Sequence, residues 1–108
     1  MKELVRTALL VSLLSVTLAA CCDEKALPGA IRNLYSDKAS ERNKALLLIA
    51  NCGKRAESSV PRISQLMYDE NVGVASSAAY ALRSIDTKSA RAALKAAEQA
   101  RAARRAHK

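Results

Sequence analysis

The side chains of this sequence best able to do covalent chemistry are the thiols of Cys21, Cys22 and Cys52. A thiolate can attack an electrophile or ligate a metal, and two thiols can form a disulfide. The cysteines do not have the spacing of a metal site, and one histidine, His107, is too few for a His-based cluster. No glycine-rich phosphate loop and no Ser, His and Asp set is found. We therefore expect no catalytic residue, no metal and no cofactor, and predict that the protein is not an enzyme.

Cys21 follows a segment that is built like a secretory signal. Lys2 and Arg6 give a positive start, and residues 7–20 then run without a charge and end in small side chains. That run is shorter than the roughly 20 residues that a membrane-spanning helix needs. Its last residues and the cysteine, Leu18-Ala19-Ala20-Cys21, resemble the lipobox of bacterial lipoproteins. The resemblance implies cleavage after residue 20, a diacylglyceryl thioether on Cys21 and acylation of the new amino terminus.

The lipobox resemblance has consequences for location and for the other two thiols. Two or more acyl chains hold a protein stably at a membrane. Cys22, not Asp, follows Cys21; by resemblance to lipoproteins of enteric-type bacteria this favours the outer membrane, facing the periplasm, although a Gram-positive host would have none. In an oxidising compartment Cys22 and Cys52 can pair. Alternatively, Cys52 is a buried free thiol and Cys22 is a second acylation site or an intermolecular thiol.

Two stretches of the chain match each other at an offset of 33 residues. Residues 27–53 align without a gap on residues 60–86, with Pro28 over Pro61 and Tyr35 over Tyr68. Apolar residues recur at helical spacing within both halves of each unit, which predicts two helices per unit. Alanines recur where those two helices would cross. The predicted inward residues are Ala30, Ile31, Leu34, Ala45, Leu46, Leu48, Ile49 and Cys52 in the first unit, and Ile63, Leu66, Met67, Val74, Ala78, Ala81, Leu82 and Ile85 in the second.

Single residues predict where these helices begin and end. Pro28 and Pro61 suit the first turn of a helix, where a missing N–H costs nothing. Ser40 suits an N-cap, and Gly53 suits a left-handed helix stop. The tyrosine of each turn, Tyr35 or Tyr68, is expected to close the packing between paired helices; the alternative is that it contacts a partner, since exposed Tyr is favoured at interfaces.

The Pro starts, the turns "LYSD" and "MYDENV", and the ending "AAYALRSI" resemble the HEAT-repeat family in its bacterial short form. The resemblance implies an all-α fold, a short right-handed α-α superhelix of helical hairpins over residues 27–86. Members of that family often carry an Arg directly after the Val of the turn, whereas Ala75 follows Val74 here and Asn43 follows Arg42. The ladder of Asp–Arg pairs that joins neighbouring turns is therefore expected to be weak or absent.

The end of the chain is strongly basic. Residues 87–108 contain seven Lys or Arg against Glu98 alone, and most of the net charge of +8 lies there. Thr87 suits the N-cap of a helix over residues 88–104, whose stripe of Ala90, Ala93, Leu94 and Ala97 would cover the second unit. Such charge would suit anionic lipid, an acidic partner protein or only solvent at a helix carboxyl end. Nucleic acid is not expected for a secreted, lipid-anchored protein.

The sequence thus divides into a cleaved signal (1–20), a lipidated tether (21–26), two HEAT-like hairpins (27–86) and a basic helix or tail (87–108). We predict a membrane-anchored scaffold that binds a protein or envelope partner; the alternative is a lipid-surface or structural protein that works through its basic end. Two units are few for a stack, so we expect a marginal fold steadied by a partner or by self-association. The predicted partner-binding residues are Tyr80, Arg91, Lys95, Arg101, Arg104 and Arg105, and the predicted lipidation site is Cys21.

Overall fold

The bounds of the helices repeat at the offset found in the sequence. In the computed structural model, which describes residues 22–107, α1 (Leu27–Asn33) and α2 (Ala39–Cys52) form the first hairpin. A 3-10 segment (Gly53–Ser59) leads to α3 (Val60–Leu66) and α4 (Val72–Ile85), whose bounds are those of α1 and α2 plus 33. A final helix, α5 (Lys88–Ala106), follows. The described residues contain no strand, so the all-α fold class is confirmed. The predicted signal (1–20) and Cys21 lie outside the described residues, as does Lys108.

Local sequence explains most of the helix ends. Pro28 and Pro61 lie in the first turns of α1 and α3, as predicted. The Thr87 hydroxyl accepts a hydrogen bond from the Ala90 N–H and caps α5. Gly53 ends α2 with a φ of +57°, a region that L side chains rarely adopt, so a substitution there would be strained by its backbone conformation.

One predicted cap is wrong and another was not predicted. Helix α2 begins at Ala39, so Ser40 lies inside its first turn, and no side chain caps it from the N-cap position, Lys38. The turn before α2 is instead held by Ser36, which contacts the Glu41 carboxylate and accepts a hydrogen bond from the Lys38 N–H. The second hairpin has a true cap, because the Asn71 side chain accepts from the Val74 N–H at 3.0 Å.

The core lies between the two hairpins, where α2 packs against α4. Alanines on both helices, Ala45, Ala78 and Ala81, are buried and let the backbones approach closely. Helix α1 covers α2, and α3 covers α4. The large side chains sealed in this core are Leu34, Leu46, Ile49, Ile63, Val74, Leu82 and Ile85, all of them predicted from spacing.

Helix α5 closes one end of the stack. Its predicted apolar stripe packs against α3 and α4, with Ala90 and Ala97 buried and Ala93 and Leu94 partly buried. The other end of the stack, formed by α1 and α2, has no covering helix in the described chain. None of the described helices is long and apolar enough to span a bilayer.

The helices run back and forth between two ends of the molecule, and we call these ends the turn pole and the disulfide pole. The turn pole holds the two hairpin turns, residues 34–38 and 67–71. The disulfide pole holds Cys22, the 3-10 segment and the α4–α5 junction at residues 86–87. Helix α5 begins at the disulfide pole, where the Ser89 hydroxyl donates to the Glu57 carboxylate at 3.0 Å, and runs toward the turn pole.

Candidate functional site

The first feature that positions a functional residue is the Cys22–Cys52 disulfide. The two cysteines are bonded, with their Cα atoms 4.6 Å apart and 30 positions apart in the chain. This resolves the alternatives for both thiols in favour of pairing. Residues 22–26, assigned from sequence to a tether, are folded in the structure, because the Asp23 carboxylate accepts from the N–H groups of Lys25 and Ala26 at 3.1 and 3.2 Å. Cys21 therefore directly precedes a residue that is bonded to the end of α2.

An ion pair joins the two hairpins at the turn pole. The Arg42 guanidinium donates from Nε to Asp69 Oδ2 and from Nη2 to Asp69 Oδ1, both at 3.1 Å. Its Nη1 donates to the Ser36 carbonyl oxygen at 2.9 Å, so one side chain links both turns. The Arg42 and Asp69 side chains are only 14% and 11% exposed. Bidentate pairs of this kind are among the strongest polar contacts in proteins.

The expectation of a weak or absent Asp–Arg ladder is therefore wrong for this rung. At the 33-residue offset Arg42 is equivalent to Ala75, the position directly after the Val of the second turn. The first hairpin thus carries an arginine at the position where the second has Ala75. The residue at which the sequence predicted this arginine to be missing, Asn43, lies one position beyond it. Because the equivalent position in the second hairpin is Ala75, that hairpin has no arginine there to form a second pair of this kind.

The surroundings of Asp69 shift its acidity. Burial by itself raises the pKa of the carboxyl group. The hydrogen bonds from Arg42 and from the Asn71 N–H, together with the charges of Arg42 and Arg62, outweigh burial and hold the pKa below its ordinary value of 3.8. Asp69 is thereby kept ionised as the partner of Arg42.

This lowered pKa predicts how the stability of the protein depends on pH. A carboxyl group with a lower pKa in the folded than in the unfolded state stabilises the fold above its unfolded pKa, and that stability is lost as the pH falls through the folded pKa. We expect Asp69→Asn to be less stable than wild type near neutral pH and the gap to shrink below about pH 4. Urea unfolding of both proteins across this range measures the gap. A gap that stays constant down to the acid limit would contradict the assigned shift.

Two exposed tyrosines occupy equivalent places beside this ion pair. Tyr35 is 64% exposed and Tyr68 is 51% exposed, so the prediction that they close the helix packing is wrong. The reason is that each follows a residue that already fills the buried site at the end of its helix, Leu34 or Met67. The tyrosine rings therefore lie on the surface of the turn pole.

An arginine from a later helix braces each of these turns. Arg62 donates from Nε and Nη2 to the Leu34 carbonyl oxygen at 3.2 and 3.1 Å, and its guanidinium lies 4.5 Å from the centroid of the Tyr35 ring. Arg101 donates from Nη2 to the Met67 carbonyl oxygen at 3.4 Å. Both arginines thus bind the carbonyl directly before an exposed tyrosine. Both turns are thus bound through a backbone carbonyl by an arginine of a later helix, a feature that local sequence patterns did not reveal.

The predicted partner-binding residues do not form one cluster. Arg91, near the disulfide pole, donates to the Asp86 carbonyl and carboxylate at 2.8 and 3.0 Å and serves the α4–α5 junction. Arg101 braces the second turn. Lys95, Arg104 and Arg105 are exposed along or at the end of α5.

Tyr80 belongs to a separate surface on α2 and α4. It is 52% exposed, and its equivalent in the first hairpin, Leu47, is 45% exposed. The two residues hold equivalent positions on helices that pack side by side. We name this surface the Leu47–Tyr80 row.

An open groove of about 360 Å³ lies on the uncovered end of the stack, between α1 and α2. Small side chains make the groove, and Asn33 and Lys44 are its polar residues. Within residues 22–107 no three His, Cys, Asp or Glu side chains are grouped as a metal site would require. The groove is lined by Ala26, Gly29, Ala30, Asn33, Lys44, Ala45 and Leu48.

No family model, no curated protein and no solved structure matches this chain. What can be said of its function therefore rests on the residues and contacts described above.

Proposed function

We propose that this protein is a lipid-anchored, non-enzymatic helical-repeat scaffold of the bacterial cell envelope that binds a protein or other envelope partner. The observation that carries the proposal is the repetition of exposed contact residues at equivalent places on two stacked hairpins. Leu47 and Tyr80 form one such row, and Tyr35 and Tyr68 form the other. A stack that only had to fold would gain more by burying these side chains. Exposed aromatic residues are enriched where proteins contact each other.

The proposed anchor rests on the lipobox-like Leu18-Ala19-Ala20-Cys21 and on the redox state of the chain. A disulfide between Cys22 and Cys52 fits an extracytoplasmic compartment, where such bonds form and persist. Three acyl chains on Cys21 would hold the protein at the membrane surface. We place it at the outer membrane, facing the periplasm, because Cys22 and not Asp follows the anchor residue. Confinement to that surface raises the effective concentration of the scaffold toward membrane-bound partners.

The anchor can be tested with Cys21→Ser. We expect wild type to be found in the membrane fraction, with an intact mass that lacks residues 1–20 and includes acyl chains. The variant should lose both properties because a hydroxyl does not replace the thiol that takes the lipid. Cys22→Ser is the matched control: it should stay in the membrane and keep its acyl chains, since the Cys21 thiol is unchanged and the lipid holds the chain even where loss of the disulfide unfolds it. Wild-type protein with Met1 attached and no acyl groups would overturn the anchor.

The scaffold can be tested by photocrosslinking in intact cells. A photoreactive residue at Tyr80 or at Tyr68 should yield a discrete adduct whose mass identifies one neighbour. The same residue at Ser58, an exposed position of the 3-10 segment outside both rows, is the control and should yield no such adduct. Equal adducts from all positions would show random encounters and would count against a binding surface.

A second candidate function is favoured by the exposure of Arg104 and Arg105. In this alternative the basic α5 is the working part, attracted to anionic lipid or to an acidic partner, and the hairpins space it from the anchor. Deleting α5 does not separate the two functions, because Ala90 and Ala97 belong to the buried core and their loss would uncover α4. Changing surface charge while keeping the helix is the better test.

A further inference from the structure

We infer that the carboxyl end of α5 at the turn pole binds a carboxylate-rich segment of a partner protein, and does not bind the bilayer that holds Cys21. The binding surface consists of Arg101, Arg104 and Arg105 beside Tyr68, and we name it the basic end. The inference rests on the proposed function in one respect, the lipid anchor at Cys21. It deepens that function by assigning the docking surface and the chemistry of the partner.

The basic end carries a concentrated positive charge. Residues 99–108 contain four Arg or Lys and no acidic residue. Arg104 and Arg105 are exposed and lie in the last turn of α5, beyond Arg101, which contacts the body of the protein at Met67. At the same pole Asp69 is bound by Arg42, and the exposed acidic residues of the two turns are Asp37 and Glu70. The surface therefore has a net positive charge that the fold itself does not neutralise.

The position of the anchor separates this charge from the anchoring membrane along the helix axes. Cys22 is fixed to the end of α2 at the disulfide pole, and Cys21 is one residue, or about 3.6 Å of chain, away. Helix α5 starts at that pole and has 19 residues, which gives a length of about 28 Å. Attraction of basic residues to anionic lipid falls off within a Debye length, about 8 Å at physiological salt. With its helix axes along the membrane normal, a module held at the disulfide pole keeps its basic end out of the field of the bilayer.

The order in which the helices pack separates the basic end from the anchor in a second direction, across the stack. The anchor is attached to the first hairpin, whereas α5 packs against α3 and α4 of the second hairpin. Because packed helices are about 8–10 Å apart, α5 lies at the far end of the stack from the anchored hairpin. The disulfide shortens the link between the proposed anchor and the first hairpin to one residue.

The chemistry of the basic end fits protein carboxylates. A guanidinium can bind a carboxylate through two parallel hydrogen bonds, a geometry that Arg42 already shows with Asp69 in this fold. Arg101 binds the carbonyl directly before the exposed Tyr68, so an aromatic ring lies at the same pole, and Trp, Tyr and Arg are the residues most enriched among those that dominate protein interfaces. A short acidic segment lying along the turn pole would contact both kinds of side chain.

The test uses the full lipidated protein, reconstituted in vesicles, with a fluorescent oligoglutamate peptide as the probe. In neutral phosphatidylcholine vesicles, Arg104→Gln with Arg105→Gln should weaken peptide binding by about tenfold, because two charge contacts are lost while Gln keeps the helix. The matched control is Lys54→Gln with Arg55→Gln, two adjacent exposed basic residues at the disulfide pole. The control should change peptide binding by less than about twofold. Circular dichroism should show equal helix content in all three proteins.

Vesicles that contain anionic phosphatidylglycerol distinguish binding of the basic end to the membrane from its binding to a protein partner. We expect oligoglutamate binding through Arg104 and Arg105 to persist there, since the basic end does not reach the lipid. Binding that disappears in anionic vesicles but not in neutral ones would mean that the basic end lies within a Debye length of its own bilayer, where the lipid binds it or repels the peptide, and this would overturn the inference. Equal loss in the two double variants would also overturn it, because it would show attraction by net charge alone.

Failure of the anchor gives a different result. Wild-type protein that does not carry acyl chains would be recognised by its mass and by its absence from the vesicles. Peptide binding that still depended on Arg104 and Arg105 in solution would then support the acidic-segment site by itself.

Discussion

Replacing Cys22 and Cys52 together by alanine is expected to lower the free energy of unfolding by about 3–4 kcal/mol. The bond closes a loop of 30 positions, and opening it returns that loop entropy to the unfolded chain. Small single cores rarely supply more than about 3–5 kcal/mol of net stability, so the loss would leave much of the protein unfolded at growth temperature. Urea and thermal unfolding followed by circular dichroism measure the change.

Two controls separate the bond from the side chains. Wild type in a reducing agent should show most of the loss seen in the double variant, which should be slightly less stable because alanine leaves the space of the buried Cys52 sulfur empty. Cys22→Ala alone should give the same loss, since it breaks the same bond while it leaves Cys52 in place. A double variant within about 1 kcal/mol of oxidised wild type would show that the bond does not carry this stability.

Asp69→Ala is expected to cost about 2–3 kcal/mol, the second large effect. The substitution leaves the Arg42 guanidinium, only 14% exposed, without its carboxylate, and it also removes the acceptor of the Asn71 N–H. Removing one partner of a buried pair is costly because the remaining charge has lost its compensation. The double variant with Arg42→Ala should lose less than the sum of the single losses, and the difference measures the coupling.

A surface ion pair provides the comparison for this prediction. Glu24→Ala breaks the ion pair with Arg55. In this pair the Arg55 side chain is 60% exposed and the Glu24 side chain is 65% exposed. We expect the substitution to cost less than about 1 kcal/mol because solvent screens such pairs. We name the Arg42–Asp69 ion pair the clasp. If Asp69→Ala lowered the free energy of unfolding as little as Glu24→Ala does, the clasp would contribute no more to stability than an exposed ion pair.

The disulfide and the clasp hold opposite poles of the same pair of hairpins. The disulfide fixes the start of the chain to α2, and the Arg42–Asp69 pair fixes the first hairpin to the second. Two hairpins are few for a repeat stack, which usually needs about three units to bury its faces. These two cross-links explain how a short stack can be held rigid enough to present the Leu47–Tyr80 row and the basic end as defined surfaces.

The sequence by itself determined the elements and their repetition. The offset of 33, the proline starts, the Thr87 cap, the Gly53 stop and the inward faces of the helices were all predicted from residue types and spacing. These properties depend on a few neighbouring residues, because helix periodicity, capping and backbone preference act over one or two turns. The charge of the carboxyl end also followed from composition alone.

Only the tertiary structure decided the contacts between distant residues. The pairing of Cys22 with Cys52, the clasp of Arg42 on Asp69 and the exposure of Tyr35 and Tyr68 each depend on how the hairpins stack. So does the separation of the predicted binding residues into Arg91 at one pole and Arg104 and Arg105 at the other. Local sequence could not determine these features because a side chain's partner is set by the positions of helices that are far apart in the chain, and the free energy of a contact depends on the burial that packing creates.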